Sequence, residues 1–236
     1  MKSFVSATIA LFSFGYLTAQ TPTPTDLLDK SIAYHDPNEQ WSTWQAEFMV
    51  ELEMQDRPNR VSRVNIDNQE GNFYLIVQRD GHTIERGFRY EDCILLFDRQ
   101  EPMDKEMVQK YQLTCERNQM YRNYYTYLYG LPMKLKDTGT QLDKVDAVTF
   151  QDKDYWRLRV TYDADVGSDI WYFYFNKSTY ALEAYQFYHD ETKNDGEYIL
   201  LKGESTVAGI KIPKDRTWYM NQDDKLLGTD FLKAIH

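Results

Sequence analysis

From Gln45 to Met54 apolar and polar side chains alternate. Ala46, Phe48, Val50, Leu52 and Met54 fall on one side, Gln45, Glu47, Glu51 and Glu53 on the other, and Met49 alone is out of step. That period of two belongs to a half-buried strand. Val64 and Ile66 continue the pattern after a turn at Asp56–Asn59. Phe73–Gln78 and His82–Phe88 flank Asp80-Gly81, a pair suited to the positive φ angles of a two-residue hairpin. Glu91–Phe97 predicts a fifth strand. Further on, Trp156, Leu158, Val160 and Tyr162 alternate with Tyr155, Arg157, Arg159 and Thr161. Strands are also expected at Ile170–Phe175, Tyr180–Tyr188, Tyr198–Leu201, Thr217–Met220 and Leu226–Leu232.

Helical spacing interrupts the strands twice. Thr23 can cap a first helix with Pro24 at its first position. Leu28 and Ile32 are four apart and Leu27 and Tyr34 seven apart, which gives Thr25–Tyr34 an apolar face that ends before Pro37. In mid-chain, Asp104–Lys110 and Glu116–Tyr129 read as helices. Met120, Tyr124, Tyr127 and Leu128 fall on one face of the second, Gly130 suits its C-cap, and Pro132 prevents continuation. Strands joined by short turns are antiparallel neighbours, and continuous strand–helix alternation is missing. The expected fold is mainly β (α+β): a curled antiparallel sheet, or half-barrel, of about ten strands. Its N-terminal helix and mid-chain helical insertion would cover the concave face. No repeat or interdomain linker appears, so residues 21–236 are expected to form one domain.

Residues 1–20 carry a different pattern. Lys2 precedes an uncharged apolar run from Phe4 to Tyr16, and Leu17-Thr18-Ala19 ends on a small residue. This is a signal-peptide pattern with cleavage after Ala19 or Gln20. The run is shorter than the roughly 20 apolar residues that span a bilayer, and no later segment is long enough. The mature chain is therefore expected to be exported, soluble and periplasmic. No cysteine follows the cleavage point to carry a lipid.

Charge narrows the partners. With 27 Lys+Arg against 37 Asp+Glu the net charge is −10, a sign that repels phosphate backbones and argues against nucleic acid. Cys93 and Cys115 can pair in an oxidising compartment. Equally, Cys93 fits a core position in Cys93-Ile94-Leu95-Leu96-Phe97.

Several residues form recognisable groups. Ala33-Tyr34-His35-Asp36-Pro37, Tyr127-Leu128-Tyr129-Gly130-Leu131-Pro132-Met133-Lys134-Leu135-Lys136-Asp137, Gly167-Ser168-Asp169-Ile170-Trp171-Tyr172-Phe173-Tyr174, Asn194-Asp195-Gly196-Glu197-Tyr198-Ile199 and Leu227-Gly228-Thr229-Asp230 stand across the chain. In these the chain resembles a family of uncharacterised exported proteins of Bacteroidota. The architecture this implies looks like that of the periplasmic lipoprotein carriers, half-barrels that hold acyl chains on a concave face under helices.

The aromatic load, 19 Tyr, 12 Phe and 5 Trp, supplies the candidate site. Tyr121, Tyr124, Tyr125, Tyr127 and Tyr129 crowd one helix, and Trp171 to Phe175 form a continuous aromatic strand. Tyrosine joins an apolar body to a polar tip, which suits an amphipathic ligand. Tyr121, Tyr124, Tyr125, Leu128, Trp156, Trp171 and Phe173 are the expected lining of a cavity, and ordinary core packing is the alternative. Lys134, Lys136 and Asp137 either ring its mouth or form a solvated loop. His35-Asp36 and His189-Asp190 together offer two imidazoles and two carboxylates to a metal such as zinc, although no HExxH, Cys-rich or His-x-His spacing supports them. No phosphate loop or nucleophile elbow occurs, and no cofactor is implied. Three functions are open: a non-enzymatic module binding a lipid-like molecule, an envelope assembly factor binding another protein, and a metal-dependent hydrolase.

Overall fold

The computed structural model describes residues 20–101 and 104–235. Residues 1–19 of the expected signal peptide lie outside them. The chain opens with α1 (Pro24–His35), whose first turn is capped by the Thr23 hydroxyl accepting from Asp26 N–H. Five strands follow as a meander: β1 (Gln45–Met54), β2 (Arg57–Asp67), β3 (Asn72–Arg79), β4 (His82–Arg89) and β5 (Asp92–Phe97). Then come α2 (Lys105–Tyr111) and α3 (Cys115–Gly130). A second meander closes the chain: β6 (Thr140–Phe150), β7 (Lys153–Tyr162), β8 (Ile170–Asn176), β9 (Leu182–Tyr188), β10 (Glu197–Val207), β11 (Ile210–Met220) and β12 (Leu226–Ile235).

All twelve strands of the described residues belong to one antiparallel sheet in the order β5-β4-β3-β2-β1-β12-β11-β10-β9-β8-β7-β6. The chain thus runs from the middle to one edge, crosses to the other edge, and returns to the middle. Eleven strand spacings at about 4.8 Å would put the edges roughly 53 Å apart in a flat sheet, whereas the sixteen residues of α3 span about 24 Å. The sheet bends around the helix, and the core forms between them.

β6 is a strand that the pattern did not predict, and β10 and β11 are longer than expected, for local reasons. β6 breaks its alternation at a register shift between Leu142 and Val145, and its hairpin turns on Gln151-Asp152, both at positive φ without the usual glycine. β10 and β11 run on past their aromatic ends to meet at Ala208-Gly209, again both at positive φ. That hairpin delivers Val207, Ile210 and Ile212 to the core.

The aromatic strand β8 is buried on both faces. Phe173 and Phe175 join the main core with Leu158, Tyr185 and Ile199. Tyr172 and Tyr174 form a second cluster with Tyr155 and Ala184, flanked by Phe150, whose ring stacks on Tyr174 at 4.3 Å. Neighbouring strands cover this outer face with their own rings, helped by Arg157 over Tyr172 at 4.7 Å.

Candidate functional site

The site is built around α3, which is fixed at both ends. At its start the Thr114 hydroxyl accepts from Arg117 N–H, and Cys115 is joined to Cys93 of β5 by a disulfide with Cα atoms 5.9 Å apart. The buried Asn118 amide donates to Ile94 O at 2.8 Å and Gly87 O at 3.3 Å. At its end the buried Arg216 guanidinium donates to Leu128 O at 3.0 Å and lies 4.5 Å over the Tyr129 ring. Gly130 is the last helical residue and does not act as a left-handed cap. A Cβ there would sit 2.5 Å from the Trp41 ring, so glycine serves close packing.

The inner face of α3 is a tyrosine ladder. Tyr121, Tyr125 and Tyr129, four residues apart, stack at 6.5 and 6.3 Å. Tyr125 packs on Phe73 and Tyr129 on Phe48. This rotates the helix from the expected face: Met120 and Tyr124 are turned outward, because the ladder fills the space over β1–β3.

On the side of α3 that faces the second meander lies a cleft of about 660 Å³. Tyr124, Tyr127 and Leu128 form its helical wall, and Trp171, Phe187 and Trp218 its sheet wall. Trp171 and Phe187 are directly opposed across β8 and β9 and stack at 4.9 Å. Tyr124 stacks with Trp218 at 6.4 Å. Its polar lining includes Lys134, Asp137, Tyr162, Asp169, His189 and Glu197. The Tyr127 and Tyr162 hydroxyls are 2.7 Å apart. Burial pushes the Tyr127 hydroxyl up and that of Tyr162 to about 12, so both keep their protons. Lys134 pairs with Asp137, and both line the cleft, whereas Lys136 pairs with Asp29 at 2.6 Å. His189 Nδ1 is 2.8 Å from Asp169. This hydrogen bond raises the imidazole above its ordinary value, and burial raises the nearby Glu197 carboxyl.

Of the seven residues expected to line a cavity, Tyr124, Leu128 and Trp171 line this cleft. Tyr121 and Tyr125 line a second hollow on the opposite flank of α3. Trp156 and Phe173 line neither and are buried in the main core. Sequence reading missed Phe187 and Trp218. The available signal was strand phase: Phe187 is two residues from buried Tyr185, and Trp218 follows Ile210, Ile212 and Arg216 at even spacing.

The His-Asp pairs are not brought together. His35 is buried, with Nδ1–H donating to Lys211 O at 2.9 Å and Nε2 accepting Leu182 N–H at 3.0 Å. Both ring nitrogens are thereby engaged, and burial holds the imidazole below its ordinary value. Asp36 accepts the N–H groups of Gln40 and Trp41, each at 2.8 Å. Asp190 accepts from Thr192, and Thr192 with Lys193 holds its carboxyl down at about 2. His35 touches the start of β9 and His189 follows its end. Seven residues at about 3.3 Å each put them roughly 20 Å apart. Among the described residues no group of three or more His, Cys, Asp or Glu is arranged to hold a metal ion. No helix among them is long and apolar enough to cross a membrane.

A curled antiparallel sheet wrapped around one anchored helix defines the class of fold. The chain belongs to a family of unknown function (DUF6503), whose model matches residues 6–233. No curated protein matches it. Among solved structures it is similar to a LolA superfamily protein from Nitrosomonas europaea, at 13% identity and a TM-score of 0.49, covering 91% of this chain and 93% of that one. It is also similar to a putative outer membrane lipoprotein-sorting protein domain from Vibrio parahaemolyticus, at 10% identity and a TM-score of 0.49, covering 90% and 92%. A DUF1329 family protein from Desulfovibrio piger gives 10% identity and 0.47, covering 90% and 92%.

Proposed function

We propose that this protein is an exported, periplasmic binding module that holds an apolar or amphipathic, lipid-like molecule in the cleft between α3 and the concave sheet face. The observation that carries the reading is the make-up of that cleft. Its walls are Tyr124, Tyr127, Leu128, Trp171, Phe187 and Trp218, and Lys134, Asp137 and His189 also line it. At about 660 Å³ it has the size of a small-molecule site, for which about 300–1,000 Å³ is usual. Large apolar side chains left exposed among the described residues are few, and two of the four, Tyr124 at 39% and Val166 at 55%, line this cleft. Apolar surface kept open at a concavity supports a ligand site. An acyl chain would lie along the aromatic walls with its head toward Lys134, Asp137 and His189.

Trp171 and Trp218 report on occupancy directly, so titration with lysophosphatidylcholine is expected to change intrinsic fluorescence. Tyr124→Ser and Val166→Asp remove apolar surface from the cleft, the first without adding charge beside the Trp218 ring. Each is expected to weaken binding about tenfold, or 1.4 kcal/mol. Native mass spectrometry of protein purified from its own host should show a co-purifying lipid. Empty protein together with a flat titration in wild type would overturn the reading.

A further inference from the structure

The hollow on the other flank of α3 is a separate site and goes beyond the lipid cleft. It holds about 550 Å³ between β2, β3, β4, the end of α2 and the first turns of α3. Among the described residues five arginines line it, Arg57, Arg60, Arg79, Arg86 and Arg117, with Asp80 as the one carboxylate and no lysine. This collection stands in a chain where acidic residues outnumber basic ones, 37 to 27.

Strand phase puts three of these side chains on the concave face, with Arg86 buried, Arg60 half-buried and Arg79 exposed. Arg60 is in phase with buried Ser62 and Val64 on β2, Arg79 with Phe73 and Leu75 on β3, and Arg86 with Ile84 on β4. Alternation makes these positions of the concave face, where apolar residues are the rule. Arg86 is only 4% exposed, opposes Leu75 across the strands, and donates to Tyr111 O at 3.1 Å. From the helix, Arg117 converges on it: the guanidinium carbons of Arg86 and Arg117 lie 5.1 and 5.3 Å from the Tyr121 ring centre.

These charges have little to answer them. Asp80 touches Arg79 and Lys110 only at 3.9 Å each. Among the described residues no carboxylate lies within 4.0 Å of Arg57, Arg60, Arg86 or Arg117. The Nε–H groups of Arg60 and Arg117 are buried without a hydrogen-bond partner. Burial disfavours the Arg86 charge; the Tyr121 ring supports it, while Arg117 and Arg79 act against it. A buried donor without a partner and like charges held together both cost stability, and an oxyanion relieves both.

We propose that this hollow binds a phosphate-bearing ligand, with the guanidinium forks taking the phosphate oxygens and Leu75, Val77 and Ile84 receiving the attached carbon skeleton. Arginine presents paired N–H donors in a plane that matches phosphate oxygens, which lysine does not. One fork satisfies a monocarboxylate. Several converging forks call for a group with more than one negative charge and at least three acceptor oxygens.

Calorimetric titration of the mature chain with pyrophosphate, dihexanoyl phosphatidic acid and dihexanoyl phosphatidylcholine tests this. Binding of pyrophosphate or of phosphatidic acid, in clear preference to phosphatidylcholine, is expected, with affinity falling as salt rises. Pyrophosphate binding as tightly as phosphatidic acid assigns the site to free phosphates; phosphatidic acid alone assigns it to a lipid headgroup. Arg60→Gln and Arg117→Gln are each expected to weaken binding about tenfold or more, and Arg60→Lys to restore only part. Each variant should keep wild-type circular dichroism and titrate lysophosphatidylcholine in the cleft as wild type does, which separates this site from the other. The proposal is overturned if neither phosphate compound binds at about 1 mM, or if folded variants bind as wild type does.

Discussion

His35 joins three elements through one ring. It sits at the end of α1, donates to Lys211 O on β11 and accepts Leu182 N–H at the start of β9. Those two bonds require the neutral tautomer with hydrogen on Nδ1, because the protonated ring has no acceptor for Leu182. Burial is the main cause that depresses its folded value; the Lys211 carbonyl and Glu204 oppose it, and the Lys211 charge adds to it. Free histidine titrates near 6.5. As pH falls through that value the unfolded chain takes up the proton first, so the contribution of His35 is complete above about 6.5 and declines below it by up to about 1.4 kcal/mol per pH unit. Urea midpoints measured from pH 8 to pH 5 should show this fall in wild type. His35→Gln should be less stable by about 2 kcal/mol at pH 8, since it leaves a buried backbone group unpaired, and the gap to wild type should narrow towards pH 5. A gap independent of pH would refute the assignment. Nothing in Ala33-Tyr34-His35-Asp36-Pro37 announces this role, because the partners are 147 and 176 residues away.

α3 acts as an anchored beam, and its staples can be ranked. The Cys93–Cys115 bond closes a loop of separation 22, for which chain entropy gives about 3 kcal/mol. Cys93→Ser with Cys115→Ser should lower stability by about that amount. The helix should remain docked, because Asn118 still holds Gly87 O and Ile94 O. Adding Asn118→Leu should release the N-terminal turns of α3, read as faster amide exchange at Arg117–Tyr121 with the C-terminal turns still protected. If the double serine variant already loses that protection, the buried amide contributes less than its geometry implies. Much of this element was legible beforehand. The periodicity placed α3 within a residue at each end, since long helices declare themselves through many residues. Its orientation was not legible, because with tyrosine at 121, 124, 125, 127 and 129 every face carries a ring. Only the sheet decides which ring is buried. The arginine hollow was hidden for a related reason. Arg60 and Arg86 read as solvated positions by composition, whereas their strand phase puts them on the concave face.

At the scale of the whole molecule, the sheet has two edges and one seam. The edges are guarded locally. β5 is short and tied to α3 by the disulfide. β6 carries Asp143, Lys144 and Asp146 and is kinked between Leu142 and Val145, features that oppose pairing with another chain. Meanders within each half were readable from turns of a few residues, but the seam was not: β1 pairs with β12, the last strand of the chain, across the middle of the sheet. Such a pairing has no local signature and closes late, because its loop entropy is large. Gly228 is the seam's tightest point. A Cβ there would stand 2.7 Å from the Glu53 carbonyl oxygen and 3.0 Å from the Met54 side chain, and β12 must keep register with Trp218 on β11 at the same residue. Gly228→Val should therefore push the two meanders apart rather than unfold either, at a cost of about 1–3 kcal/mol. Exchange of amides at Val50–Glu53 and Thr229–Leu232 should accelerate, while those of β3 and β8 stay protected. Because Trp218 lines the cleft, the same variant should also weaken lysophosphatidylcholine binding, whereas the arginine hollow, built from β2, β3, β4, α2 and α3, should bind as before. Uniform acceleration of exchange across all strands would show instead that the sheet opens as one unit, and that the seam has no separate stability.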